Sequence, residues 1–204
     1  MAPIDHLMWV VPHLGAGIDE LERRTGERAT LGGAHAGLGT ANALLGLGPG
    51  TYLEVLGPDP ALAEPTALGA TLAAEPAARL ASWAVRSDDI EDTCAALTAA
   101  GWPVTPRAMT RTRPDGVTLS WRLAVLPGRP LGDHWPFAID WGASPHPSED
   151  LDGDCALERL SVADPEPAEL RRLLDLLEIG GVDVIQGPAA VHATLRTPRG
   201  ALDL

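Results

Sequence analysis

Gly39-Thr-Ala-Asn42-Ala-Leu-Leu-Gly-Leu47-Gly48-Pro49-Gly50-Thr51-Tyr-Leu-Glu54-Val-Leu56 is the stretch that decides the fold. It reads as two strands, Gly39 to Leu47 and Thr51 to Leu56, joined by the hairpin turn Gly48-Pro49-Gly50. Working outward, Ile4 to Val11 is a buried apolar strand that Pro12 ends. Leu14 to Thr25 follows at helical spacing, with Leu14, Ile18 and Leu21 on one face and Gly26 as its stop. Gly32-Gly33 reads as a turn, and Arg28 to Leu31 is the weakest candidate for a further strand. The unit is strand, helix, then two or three strands.

The pattern then repeats. After the Pro/Ala-rich stretch 58–78, a loop with a short helix, come a strand at Ala81 to Val85 and a helix at Ile90 to Ala100. Asp88-Asp89 supplies that helix's N-cap and Gly101 its end. Val104 to Thr110, Val117 to Leu126 and Trp135 to Trp141 read as strands, with Pro114-Asp115-Gly116 as a turn. A third round has strand Ala156 to Val162, helix Ala168 to Leu177, and short strands at Val182 to Ile185, Ala190 to Arg196 and Ala201 to Leu204. One βαβββ unit thus recurs three times. The fold class expected is α+β: two modules, about 1–60 and 79–143, paired around a cavity, a linker at 144–154, and a third C-terminal module at 155–204. That last sheet has no partner in this scheme, so a second copy of the chain is expected to cover it as a homodimer.

Composition excludes several functions. The chain has 204 residues and a net charge of -13, and all 15 of its basic residues are Arg. Such an acidic chain repels phosphate backbones, so no nucleic-acid partner is expected. No basic amphipathic face or long apolar run suggests a membrane. The start at Met1 lacks a signal-peptide pattern, and the cytoplasm is the expected location. Cys94 and Cys155 form no metal-type pair, and one disulfide stays open. The Lys-free, Ala/Arg/Pro-rich composition suggests a GC-rich bacterial source.

Alternation along the strands marks the polar residues of interest. His6 shares a face with Ile4, Met8 and Val10, and Glu54 shares one with Tyr52 and Leu56. A carboxylate among apolar strand neighbours is costly to bury unless it is paired, protonated or metal-bound. Asp140, in Phe137-Ala-Ile-Asp140-Trp141, has the same character; a loop cap or an ion pair with Arg122 is its structural alternative.

Ile4-Asp-His6-Leu, the stretch from Gly33 through His35, Gly39 and Asn42 to Leu45, Thr51-Tyr-Leu-Glu54-Val-Leu-Gly-Pro-Asp59-Pro, and Pro136-Phe-Ala-Ile-Asp140-Trp141 together resemble the glyoxalase-like domains of the vicinal-oxygen-chelate superfamily. The resemblance covers about residues 3 to 142. It implies a divalent metal (Mg, Mn, Fe, Ni or Zn) held by His6, Glu54 and Asp140, with a fourth position near Ser82 or Trp83, neither of which is a good ligand. His35 or His134 is the candidate for a second imidazole. Glu54 or Asp140 would act as general base. His35, Asn42, Arg122 and Trp121 are the candidates for binding a small-molecule substrate. The function expected is a small-molecule lyase, isomerase or dioxygenase; the alternative is a metal-free protein that sequesters a small ligand.

Overall fold

The computed structural model describes residues 2–35, 37–129 and 133–204; Ala36, inside the quoted glycine-rich stretch, lies outside them. The first module runs β1 (Ile4–Val10), α1 (Leu14–Thr25), β2 (Thr30–His35), β3 (Thr40–Gly46) and β4 (Tyr52–Pro58). After α2 (Ala67–Ala73), the second runs β5 (Arg79–Arg86), α3 (Ile90–Ala99), β6 (Arg107–Thr112), β7 (Thr118–Ala124) and β8 (Phe137–Asp140). A 3-10 turn at Pro147–Asp150 leads to β9 (Ala156–Asp164), α4 (Pro167–Leu176), β10 (Val182–Gln186), β11 (Ala190–Thr197) and β12 (Gly200–Asp203). The repeated βαβββ order expected from the sequence is therefore present.

The first two modules close into one eight-stranded barrel, ordered β1-β4-β3-β2-β6-β7-β8-β5. In each module the first strand lies parallel to, or one step from, its own last strand: β1 pairs with β4 and β5 with β8. Side-chain alternation then splits the core in two. Met8, Leu44, Leu56, Leu119, Phe137 and Ile139 form an inner cluster. Leu7, Trp9, Leu45, Leu53, Val55 and Trp83 turn outward to pack with α1 and α3. This is why β3 and β4 read as continuous apolar runs: both of their faces are buried. No helix among the described residues is long and apolar enough to cross a membrane.

The third module keeps the element order but not the wiring. Its sheet runs β10-β9-β11-β12, so β9 sits inside, parallel to β10 and antiparallel to β11. The expectation of an unpartnered third sheet is not met. Leu160, Val162, Leu170, Leu173, Val191 and Leu195 join the same hydrophobic cluster as the barrel's outer face. Trp135 Nε1 donates to Asp164 Oδ2 at 2.6 Å, and the Ala2 amide donates to the Glu178 carbonyl. A homodimer inferred from an uncovered third sheet therefore loses its premise.

A second correction concerns Gly32-Gly33, read from the sequence as a turn. Both lie inside β2, at a bulge opposite β3, and they carry His35 onto a strand rather than a loop. β2 joins β6 through Ala34 opposite Thr112 and His35 opposite Arg111, the seam between the two modules. Gly33 has φ +130°, and a Cβ there would stand 2.1 Å from the Thr112 carbonyl oxygen. Gly33→Ala is expected to destabilise the fold by roughly 2–4 kcal/mol, from backbone strain plus the clash. Gly15→Ala, in α1 with open space around it, should instead be neutral or stabilise by up to about 1 kcal/mol. Urea denaturation of both variants checks this; equal stabilities would show that the seam tolerates a side chain.

Candidate functional site

The barrel interior holds a cavity of about 60 Å³. On the scale of about 10–15 Å³ for one water, it accommodates a small acid or acyl group, not a whole coenzyme. Its two halves differ chemically. The first module contributes His6, His35, Asn42 and Glu54; the second contributes Trp121, Leu123, Phe137, Ile139 and Trp141, with Arg111 as its one charged group.

Glu54 is 8% exposed and is held from three sides. Asn42 Nδ2 donates to its Oε1 at 2.6 Å. His35 Nε2 stands 3.8 Å from Oε1, and His6 Nε2 stands 3.8 Å from Oε2. Both imidazoles are fixed from behind. His6 Nδ1 contacts Asp5 Oδ1 at 2.7 Å, and His35 Nδ1 contacts Thr40 Oγ1 at 3.0 Å. Burial pushes the His35 pKa down, as do Arg111 and His6, against an upward pull from Glu54. His35 is thus kept neutral.

Asp5 is wholly buried; it accepts from His6 at Oδ1 and from Arg86 and Trp141 at Oδ2, and His146 Nε2, which also lies 2.7 Å from the Arg86 guanidinium, stands 3.0 Å from Oδ2. Burial alone would raise its pKa. Hydrogen bonds from His146 and His6, and their charges, outweigh that and hold the carboxyl far below the usual carboxylate range. An ionised Asp5 can only accept, so His6 Nδ1 donates and its Nε2 faces the cavity. His146 is therefore part of the support for His6. It reaches Asp5 from the stretch read as a linker.

Three of the expected residues, Arg122, Asp140 and His134, are not brought to the cavity. Trp121 and Arg122 are adjacent in β7, so only one of them can face inward; Trp121 does. Arg122 pairs with Glu91 of α3 and lies opposite Asp140 on the outer face. Asp140 alternates with the inward Ile139, accepts from the Gly142 amide at 2.8 Å and sits 3.8 Å from Arg122. His134 bonds Asp164 of the third module instead. Conversely, the sequence reading missed Arg111. It lies two residues after the cavity-lining Met109, so its face was legible from β6 once the strand was in register.

The metal expected from the resemblance does not fit these residues. His6, Glu54 and Asp140 do not converge. The inward second-module positions near His6 are Ala84 and Phe137, its register neighbours, and Ile139; none is a ligand. Ser82 lies opposite Met8, and Trp83 turns to the outer core. His35 supplies a second imidazole, but Glu54 Oε1, the oxygen it faces, already accepts from Asn42. Among the described residues no group of three His, Cys, Asp or Glu is gathered to hold an ion. The buried Arg111 cation lines the same cavity.

Residues 4–177 match the glyoxalase-like domain family. The chain belongs to that family. Solved structures similar to this glyoxalase-like chain share its fold, that of the vicinal-oxygen-chelate superfamily. A hypothetical protein from Staphylococcus aureus superposes with a TM-score of 0.68 at 16% identity, covering 100% of this chain and 85% of that one. A variant of Streptomyces coelicolor methylmalonyl-CoA epimerase, in complex with 2-nitronate-propionyl-CoA, gives 0.52 at 17%, covering 72% and 99%. A hypothetical protein from Bacillus halodurans C-125 gives 0.52 at 14%, covering 70% and 96%. No curated protein sequence matches the chain.

Proposed function

We propose that this glyoxalase-like protein is an isomerase-type enzyme that moves a proton next to a carbonyl of a small substrate, without a resident metal. The observation that carries this reading is Glu54, standing between the Nε2 atoms of His6 and His35 in an otherwise largely apolar cavity. Glu54 takes the proton from the carbon beside the carbonyl. In the tautomer whose Nδ1 accepts from Thr40, neutral His35 presents an N–H to the carbonyl oxygen as charge develops there. His6, oriented by Asp5, takes up or returns a proton on the other side of Glu54. Reprotonation on the opposite face completes an epimerisation, and reprotonation at oxygen or a neighbouring carbon completes an isomerisation.

The test is solvent exchange. Small 2-oxo acids and acyl thioesters, including the methylmalonyl-CoA that a structural relative handles, are incubated with the protein in deuterated water and followed by proton NMR. Loss of the signal beside the carbonyl in at least one of them is expected. Binding without exchange across the series would favour sequestration. Near-stoichiometric divalent metal in protein purified without a His tag would overturn the metal-free assignment.

A further inference from the structure

Arg111 is 4% exposed, lines the cavity, and its Nε has no hydrogen-bond partner. A buried guanidinium donor left unpaired is costly, so an arginine retained in this state calls for a partner that arrives from outside. The proton-transfer reading gives it no contact with the substrate. Its Nη1 donates to Asn42 Oδ1 at 3.0 Å, and Asn42 passes its own amide hydrogen to Glu54 Oε1 at 2.6 Å.

Asn42 is therefore a spacer. A direct bidentate Arg111–Glu54 ion pair would engage both carboxylate oxygens. With an amide between them, the cation keeps a free donor and the carboxyl keeps Oε2 clear of a tight hydrogen bond. Gly32 secures the arrangement: a Cβ there would stand 2.3 Å from Asn42 Oδ1 and 2.7 Å from Arg111 Nη1. Facing this polar row are Trp121, Phe137 and Leu123, whose surfaces suit an apolar or aryl group.

We infer that Arg111 is an anion subsite and that the ligand is a small organic carboxylate. Its charged end docks on the guanidinium, its apolar remainder lies on the Trp121 wall, and the bond to be worked on falls near Glu54. This rests on the cavity being the substrate site, and it names the substrate class for the proposed reaction. Arg is suited to the task because its planar fork matches a carboxylate in a way an ammonium does not.

Calorimetric titration with phenylacetate and with its neutral isostere phenylacetamide tests the inference. A charge-assisted hydrogen bond made in a buried site makes the carboxylate bind roughly tenfold or more tightly than the amide. Arg111→Gln is expected to abolish that preference, and Arg111→Lys to retain part of it. Should Arg111→Gln not fold, the wild-type comparison and Arg111→Lys still decide. Equal affinities in the wild type, a preference surviving in Arg111→Gln, or no millimolar binding of phenylacetate, isobutyrate or pyruvate would each overturn the subsite. Glu54→Gln separates the two readings, because it should retain the carboxylate preference while losing exchange. Preference without exchange in the wild type would leave the subsite standing and remove the proposed reaction.

Discussion

Glu54→Gln is expected to slow substrate deuterium exchange by about 10²–10⁴-fold with little change in stability. The amide has the size and shape of the carboxyl it replaces. Its oxygen can still accept from Asn42 Nδ2, which now meets Glu54 Oε1 at 2.6 Å. What disappears is the group that takes the proton. A binding residue would behave differently: its loss would weaken affinity and leave turnover of bound substrate largely intact. The measurement is therefore single-turnover exchange at saturating ligand, beside a urea midpoint to verify folding. Exchange at the wild-type rate would show that another group, His6 or His35, is the base. Stability should change little because the side chain sits at the cavity wall, not in the packed outer cluster.

Legibility followed the physics of alternation. β1 and β4 read cleanly because alternation sets His6 and Glu54 among apolar neighbours on one face of each strand, and both line the cavity. β2 did not, because two glycines in sequence mimic a turn. Only the carbonyl of Thr112 crowding Gly33, a contact made 79 residues away in sequence, explains why glycine is required within a strand. Arg122 and Asp140 attracted attention as charged residues in apolar runs. Yet a residue next to an inward one must point outward, which places both on the face that α3 covers with Glu91. The third module shows a different limit. Its βαβββ order repeats, but strand order within a sheet depends on pairings that no local pattern records. Nor could the pattern reveal that its apolar residues complete the barrel's outer core.

Asp5→Asn is expected to cost about 3–5 kcal/mol, the largest loss of stability from any single substitution of similar shape near the site. Asp5 has no exposed surface, its two oxygens receive donors from His6, Arg86 and Trp141, and His146 Nε2 stands 3.0 Å from Oδ2. An asparagine offers only one accepting oxygen. Directed at Arg86 and Trp141, it turns its NH2 on His6 and forces that imidazole into the wrong tautomer; directed at His6, it sets its NH2 against the Arg86 and Trp141 donors. The same network sets the acid limit. Because the folded Asp5 carboxyl titrates below its ordinary value of 3.8, the unfolded chain takes up that proton first as pH falls. The stability it confers is complete above that value and is lost as pH drops beneath it. His35 acts earlier and in the same sense: below the ordinary 6.5 the unfolded chain binds a proton that the buried imidazole resists. Urea midpoints of the wild type should therefore be flat above about pH 7, decline gently below it, and fall steeply under about pH 4. Asp5→Asn should start from a lower plateau and show a shallower acid limb, the remainder coming from other carboxyls held below their ordinary values, such as Asp164. A variant as stable as the wild type at neutral pH would mean that these donors find other acceptors, and His6 would then have to be oriented by something other than Asp5.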